Sequence, residues 1–158
     1  MDPVERDGAA VRFPPPLVYL LAVLAGVLLH WLLYPLPIAL PSGVRIGLSV
    51  AAALAGVALL GAALGLFRRT GQDPRPWAST PAIISTGVYR VTRNPMYVGV
   101  ALLQAAIGLG VANGWIVALV PVSLAVVYFI AVRHEEAYLA GKFGAAYVAY
   151  TATVRRWL

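Results

Sequence analysis

The sequence predicts an all-α integral membrane protein, with four transmembrane helices followed by a C-terminal amphipathic helix on the membrane interface. Three observations carry this reading. Hydrophobic residues make up 61% of the 158-residue chain and charged residues 11%, with a mean hydropathy of +0.81, a composition found among membrane proteins rather than soluble domains. Charge is absent for 32 residues between Arg12 and Arg45, for 22 between Arg45 and Arg68, and for 39 between Arg93 and Arg133. Each run exceeds the roughly 20 residues that cross hydrocarbon. Proline and glycine clusters then divide the runs where turns are needed.

The elements follow in order along a single domain, residues 1–158. The first span is expected over about 17–34. The first twelve residues mix acids and bases, and the apolar stretch from Leu17 to Tyr34 is longer than the core of a signal peptide, so this segment reads as a retained span. Pro35, Pro37, Pro41, Ser42 and Gly43 end it and lead into the second span, about 44–67. The 39-residue run would reach about 60 Å as one helix, twice the hydrocarbon thickness, and it must fold back. Gly108, Gly110, Asn113 and Gly114 supply the turn, dividing it into spans of about 95–111 and 114–132.

Four spans return both termini to one side. That side carries Arg6, Arg12, Arg68, Arg69, Arg75, Arg90, Arg93, Arg133, Lys142, Arg155 and Arg156, and only Arg45 lies opposite. The positive-inside rule makes the basic side cytoplasmic and the protein a multi-pass one, as in a bacterial inner membrane. All six acidic residues also fall there, leaving a net charge of +5 that favours anionic lipid headgroups. Membrane lipid is therefore an expected partner, and nucleic acid is not. The chain has no cysteine and only two histidines, His30 and His134, about 20 Å apart in depth, so no metal centre is expected. His30 reads as a neutral, hydrogen-bonded packing residue. The spacings Gly43 to Gly47 and Gly61 to Gly65 suit close helix contact, within the monomer or across a dimer, with packing inside the monomer preferred.

Two polar segments, about 68–94 and 133–158, hold the chemistry. The first is a long connection whose Trp77, Ile83 and Ile84 suit the headgroup boundary, giving an ordered cap over the cytoplasmic end. It closes on Gly87-Val88-Tyr89-Arg90 and Arg93-Asn94-Pro95-Met96-Tyr97-Val98-Gly99. Asn94 is a strong N-cap and Pro95 suits the first helical position, so the third span starts here, its positive dipole end beside Arg90 and Arg93. Such a start is a natural pocket for a carboxylate or phosphate. The second segment opens with Arg133-His134-Glu135-Glu136, after which Leu139, Phe143, Tyr147 and Tyr150 recur at helical spacing on an amphipathic helix or broken helix on the interface, bent at Gly141 and Gly144. A hairpin that crosses and returns brings both clusters to one face, pairing cations and helix-end donors with two carboxylates. That is a site for a charged, water-soluble cofactor.

As an ordered set these motifs resemble the isoprenylcysteine carboxyl methyltransferase family and its relatives, the phospholipid N-methyltransferases, over about residues 65–157. Members of that superfamily are integral membrane enzymes that use S-adenosylmethionine, and the resemblance implies the same activity and cofactor here. It places Tyr89, Arg93, Asn94, Pro95, Tyr97 and Gly99 in the cofactor pocket from the first cluster, and His134, Glu135 and Glu136 from the second, with Tyr147 beside them. Arg93 and the helix start would hold the methionyl carboxylate. Glu135 or Glu136 would bind ribose hydroxyls or the amino group, while Tyr97 and Tyr147 shape the adenosine pocket. Many relatives have His at the position of Asn94. Asn donates and accepts hydrogen bonds but is no cation or general base near neutral pH, which argues against proton transfer there.

The acceptor implied is lipophilic, an isoprenylcysteine-carboxylate-like molecule or another small lipid, entering sideways from the bilayer. A carboxylate acceptor needs no base, whereas an amine would have to lose a proton, with Glu136 or Tyr89 assisting. Arg133 and Glu136 are the catalytic candidates, Arg133 orienting an acidic acceptor or simply snorkelling to the interface. Two other classes fit the same outline: an NADPH-dependent isoprenoid or sterol-type reductase, and a non-enzymatic membrane scaffold.

Overall fold

The computed structural model describes residues 8–158, and the mixed-charge start that includes Arg6 lies outside them. Among the described residues all regular structure is helical, apart from one isolated bridge between Thr92 and Arg155. Helix α1, Pro15–Leu32, begins two residues before the expected start because Pro15 and Pro16 occupy its first turn, where a missing N–H costs nothing and φ is already set. Helix α2, Ser42–Thr70, runs past the expected end through Arg68 and Arg69, cations that suit the negative end of the helix dipole. It stops at Gly71, which adopts the left-handed conformation with φ 67°.

Helix α3, Pro95–Gly110, matches the third expected span, and a tight turn leads to α4, Gly114–Ala118. Asn113 caps α4, its Oδ1 accepting from the N–H groups of Trp115 and Ile116 at 3.0 and 3.3 Å. Pro121 lacks the N–H that would continue the ladder, and the helix breaks slightly at Leu119 before α5, Val120–Val127. A π turn, Tyr128–Val132, then joins α5 to α6, Arg133–Phe143. The fourth helix therefore does not stop at Val132 but continues to Phe143, since nothing before Gly144 breaks it. Of the two expected forms, the segment through Leu139 and Tyr150 takes the broken one: Gly141 stays inside α6, and α7, Ala145–Thr153, starts after Gly144 at φ 51°.

Three helices are long and apolar enough to cross a membrane, Pro15–Leu32, Ser42–Thr70 and Gly114–Phe143, while Pro95–Gly110 is shorter. The 30-residue helix reaches about 45 Å at a rise of about 1.5 Å per residue, so its charged last third stands beyond the roughly 30 Å of hydrocarbon. Large apolar side chains such as Leu21, Leu24 and Leu28 of α1 and Leu48, Leu54 and Val57 of α2 are exposed, as a lipid-bathed surface requires.

Small residues set the inner contacts. A Cβ on Gly56 would lie 2.7 Å from the carbonyl oxygen of Gly99, and one on Gly99 would lie 2.9 Å from Leu60 Cγ. The helices α2 and α3 thus meet backbone to backbone. Gly43, Gly47, Gly61 and Gly65 meet nothing within 4 Å, which overturns the expectation that they pack within the monomer. At about 100° per residue they point roughly 140–180° away from the seam through Gly56.

The end of the bundle that holds Arg45 is closed by polar contacts to backbone. Arg45 donates to the carbonyls of Leu109 and Gly110, the latter at 2.9 Å, and Asn113 Nδ2 donates to Gly26 at 3.1 Å. His30 lies edge-on to Trp31 near this end, and its buried Nδ1 has no partner among the described residues, so the expected hydrogen bond there is not made. Between the two ends, Gln104 donates to the Ile116 carbonyl at 3.0 Å and accepts from Ser123 Oγ at 2.8 Å. These buried polar groups are satisfied.

Candidate active site

The opposite end is built from the start of α1, the loop after α2, the start of α3, the start of α6, α7 and the residues after it. The loop ends in a 3-10 turn, Gly87–Arg90, in which Gly87 takes φ 56°. Tyr89 packs edge-on against Phe67, and its carbonyl accepts from Tyr150 Oη at 2.7 Å. The tail is stitched to the residues before α3. Arg93 N–H donates to Arg155 at 2.9 Å, Thr92 Oγ1 to the Arg156 carbonyl at 3.1 Å, and Asn94 Nδ2 to the same carbonyl at 2.9 Å. Asn94 occupies the capping position ahead of Pro95, yet its side chain makes no cap bond; the tail takes its amide instead.

Arg93 and Glu136 meet at 3.2 Å, with only 12% and 19% of their side chains exposed. Arg156 grips the same carboxylate bidentately, Nε to Oε1 and Nη2 to Oε2 both at 2.9 Å, and its guanidinium lies 4.9 Å from the ring centre of Tyr128. Tyr97 Oη donates to Glu135 Oε1. Burial pushes the Glu135 carboxyl up to about 7; the nearby Glu136 charge adds to this, and the Tyr97 bond opposes it without cancelling it. Burial also raises the phenols of Tyr89 and Tyr147, and lifts that of Tyr150 to about 12. These tyrosines remain protonated hydrogen-bond donors at neutral pH.

A cavity of about 370 Å³ lies against this cluster. Tyr97, Glu135, Arg93, Glu136 and Tyr147 line it together with Trp77, Ile83 and Ile84 from the loop. Two of the residues that line it, Arg93 and Gln72, each carry a buried polar atom, Nε and Oε1, that has no partner among the described residues. An unused donor, an unused acceptor and a titratable carboxyl around a chamber lined by both aromatic and charged residues suit a small molecule carrying a carboxylate, a cation and a polar ring.

Of the residues singled out from the sequence, Tyr89, Arg93, Asn94, Tyr97, Glu135, Glu136 and Tyr147 line this cavity. Pro95 is buried in the first turn of α3, and Gly99 faces α2. His134 lies outside, its Nε2 accepting from Arg133 Nε at 3.4 Å. Arg133 lines a second, open cavity of about 580 Å³. Gln72 and Arg156 join the site without a motif to mark them. Gln72 sits in a loop without periodicity, and Arg156 belongs by composition to a basic end that topology alone would explain.

The sequence profile of phospholipid methyltransferases matches residues 48–146, more than half of the chain and all of both clusters. The chain belongs to the phospholipid methyltransferase family. No curated protein and no solved structure matches it. As a phospholipid methyltransferase family member it is a membrane methyltransferase, and the matched segment starts within α2, upstream of the motifs that carry the resemblance. Arg156 of this methyltransferase lies beyond the matched segment.

Proposed function

We propose that the methyltransferase takes its methyl group from S-adenosylmethionine held in the 370 Å³ cavity and passes it to a lipophilic acceptor that enters from the bilayer. The observation that carries this reading is the meeting of Arg93 and Glu136 at 3.2 Å on the wall of a chamber that also holds Glu135. The donor supplies a methyl group already activated on a cationic sulfonium, so the protein's work is positioning and exclusion of water. Arg93 Nε and the free N–H groups at the start of α3 take the carboxylate. Glu135, once ionised, takes the ammonium, and Gln72 Oε1 accepts from the adenine amine. Both oxygens of Glu136 are already bonded to guanidinium groups, so its role is to position Arg93. Trp77, Tyr97 and Tyr147 wall the chamber.

In this reading α3 is a fourth, short span, sheltered by α2 on one side and by α1 and α5 on the other. The ion cluster marks the cytoplasmic end and Arg45 the far end, with both ends of the described chain on the cytoplasmic side of a bacterial inner membrane. Isothermal titration of the detergent-solubilised full chain tests the donor. S-adenosylhomocysteine is expected to bind with a micromolar Kd and NADPH to give no heat. Membranes given methyl-labelled donor are expected to yield label in the lipid extract. Binding of NADPH without binding of S-adenosylhomocysteine would refute the assignment.

A further inference from the structure

The second cavity lies across a shared wall from the first, since Arg93, Glu136 and Tyr147 line both. Its own character comes from Arg133 and Arg156. Arg133 has no carboxylate within ion-pair distance among the described residues, and its guanidinium rests 5.7 Å from the ring centre of Phe129. Arg156, although paired with Glu136, keeps 38% of its side chain exposed. Three guanidinium groups against one carboxylate leave the groove strongly positive. Below it, Val122, Val126 and Phe129 recur at four and three residues and are all exposed, forming an apolar stripe that ends at Arg133. Val148 on α7 is exposed beside the groove.

An apolar stripe rising out of the hydrocarbon and ending in a cation without a carboxylate partner matches the layout of a lipid, whose tails lie along the helix while its headgroup reaches the charge. We infer that the groove is a second ligand site, which binds the anionic headgroup of a membrane lipid between Arg133 and Arg156 with its acyl chains along Val122, Val126 and Phe129. Exposed valines and Phe129 alone would accept any lipid; the two arginines select an anionic one. A headgroup that draws on Arg156 also competes with Glu136 for it, linking the lipid to the wall of the donor cavity. The site itself does not depend on the identity of the donor.

Titration of the full chain in detergent with soluble dihexanoyl phosphatidylglycerol, dihexanoyl phosphatidylcholine and inorganic phosphate tests this. Phosphatidylglycerol is expected to bind about fivefold or more tightly than phosphatidylcholine, from a basic-residue contribution near a lipid surface, and the preference should shrink as salt rises. Arg133→Gln, at an exposed position, is expected to melt with the parent and lose that preference, while Arg68→Gln on α2 keeps it. Equal affinity for the two lipids, a preference that survives Arg133→Gln, equal loss in both variants, or inorganic phosphate binding as tightly as phosphatidylglycerol would each overturn the site. S-adenosylhomocysteine titrated into the same samples separates the two readings: a lipid preference without binding of S-adenosylhomocysteine would retire the donor assignment and leave the groove standing.

Discussion

Arg93→Ala is expected to weaken binding of S-adenosylhomocysteine by about 30- to 150-fold while the protein still folds. Removing one partner of a desolvated charge pair costs ~2–5 kcal/mol, much of it from the charge left behind. Here that penalty sits near the low end, because Arg156 still holds both oxygens of Glu136 at 2.9 Å. The loss in affinity comes instead from Nε, which is buried and without a partner among the described residues, and from the wall that Arg93 shares with Tyr147. Lysine at this position restores the charge but not the planar fork, so Arg93→Lys should recover only part of the affinity. Titration calorimetry and a melting curve on the same preparation check both halves. A variant that melts with the parent and binds equally well would remove Arg93 from the donor site.

Binding is expected to strengthen as pH rises toward 7 and to level off above it. Burial raises the Glu135 carboxyl to about 7, so at pH 6 it is mostly protonated. An incoming ammonium favours the carboxylate, and binding must then release the proton. Affinity should fall by about tenfold for each pH unit below the raised value. The sign for stability is the reverse. A carboxyl raised by folding adds stability below its unfolded value, and that contribution disappears as pH rises through about 7, where the buried group must ionise. Glu135→Gln keeps the shape and removes the titration. The variant should bind with no slope in this window and, without ligand, should melt above the parent at pH 8. Calorimetry in buffers of different ionisation enthalpy counts the released proton directly, and an unchanged slope in Glu135→Gln would assign the titration elsewhere.

Much of this site was legible because its parts are local in sequence. Arg93 and the Arg133–Glu136 cluster flank one uncharged run, and the glycines at 108, 110 and 114 fold that run back, which brings the two to one end. Helix starts marked by Pro15 and Pro95, and the stop at Gly71, obey rules that act within one turn. What stayed hidden depends on distant partners. Asn94 has the composition of a cap, but a carbonyl 62 residues away captures its amide. Arg156 is bound to Glu136 through a tail that forms a two-residue bridge with the segment before α3, and such a bridge has no periodicity to read. Gly99 sits in a motif that pointed to ligand, whereas Gly56 on another helix is what requires it to be small. The continuation of the fourth helix through Arg133 shows the same limit, since a change from apolar to charged residues marks the edge of hydrocarbon and not the end of a helix.

If the proposed function holds, two segments, one before α3 and one at the start of α6, close on a single donor. Photo-crosslinking with an azido-adenosine analogue of S-adenosylmethionine, followed by peptide mapping, tests that most directly. The expected result is label in both the 68–97 and the 133–150 stretches, abolished by excess S-adenosylhomocysteine. Label confined to one stretch, or label that excess S-adenosylhomocysteine does not remove, would contradict it.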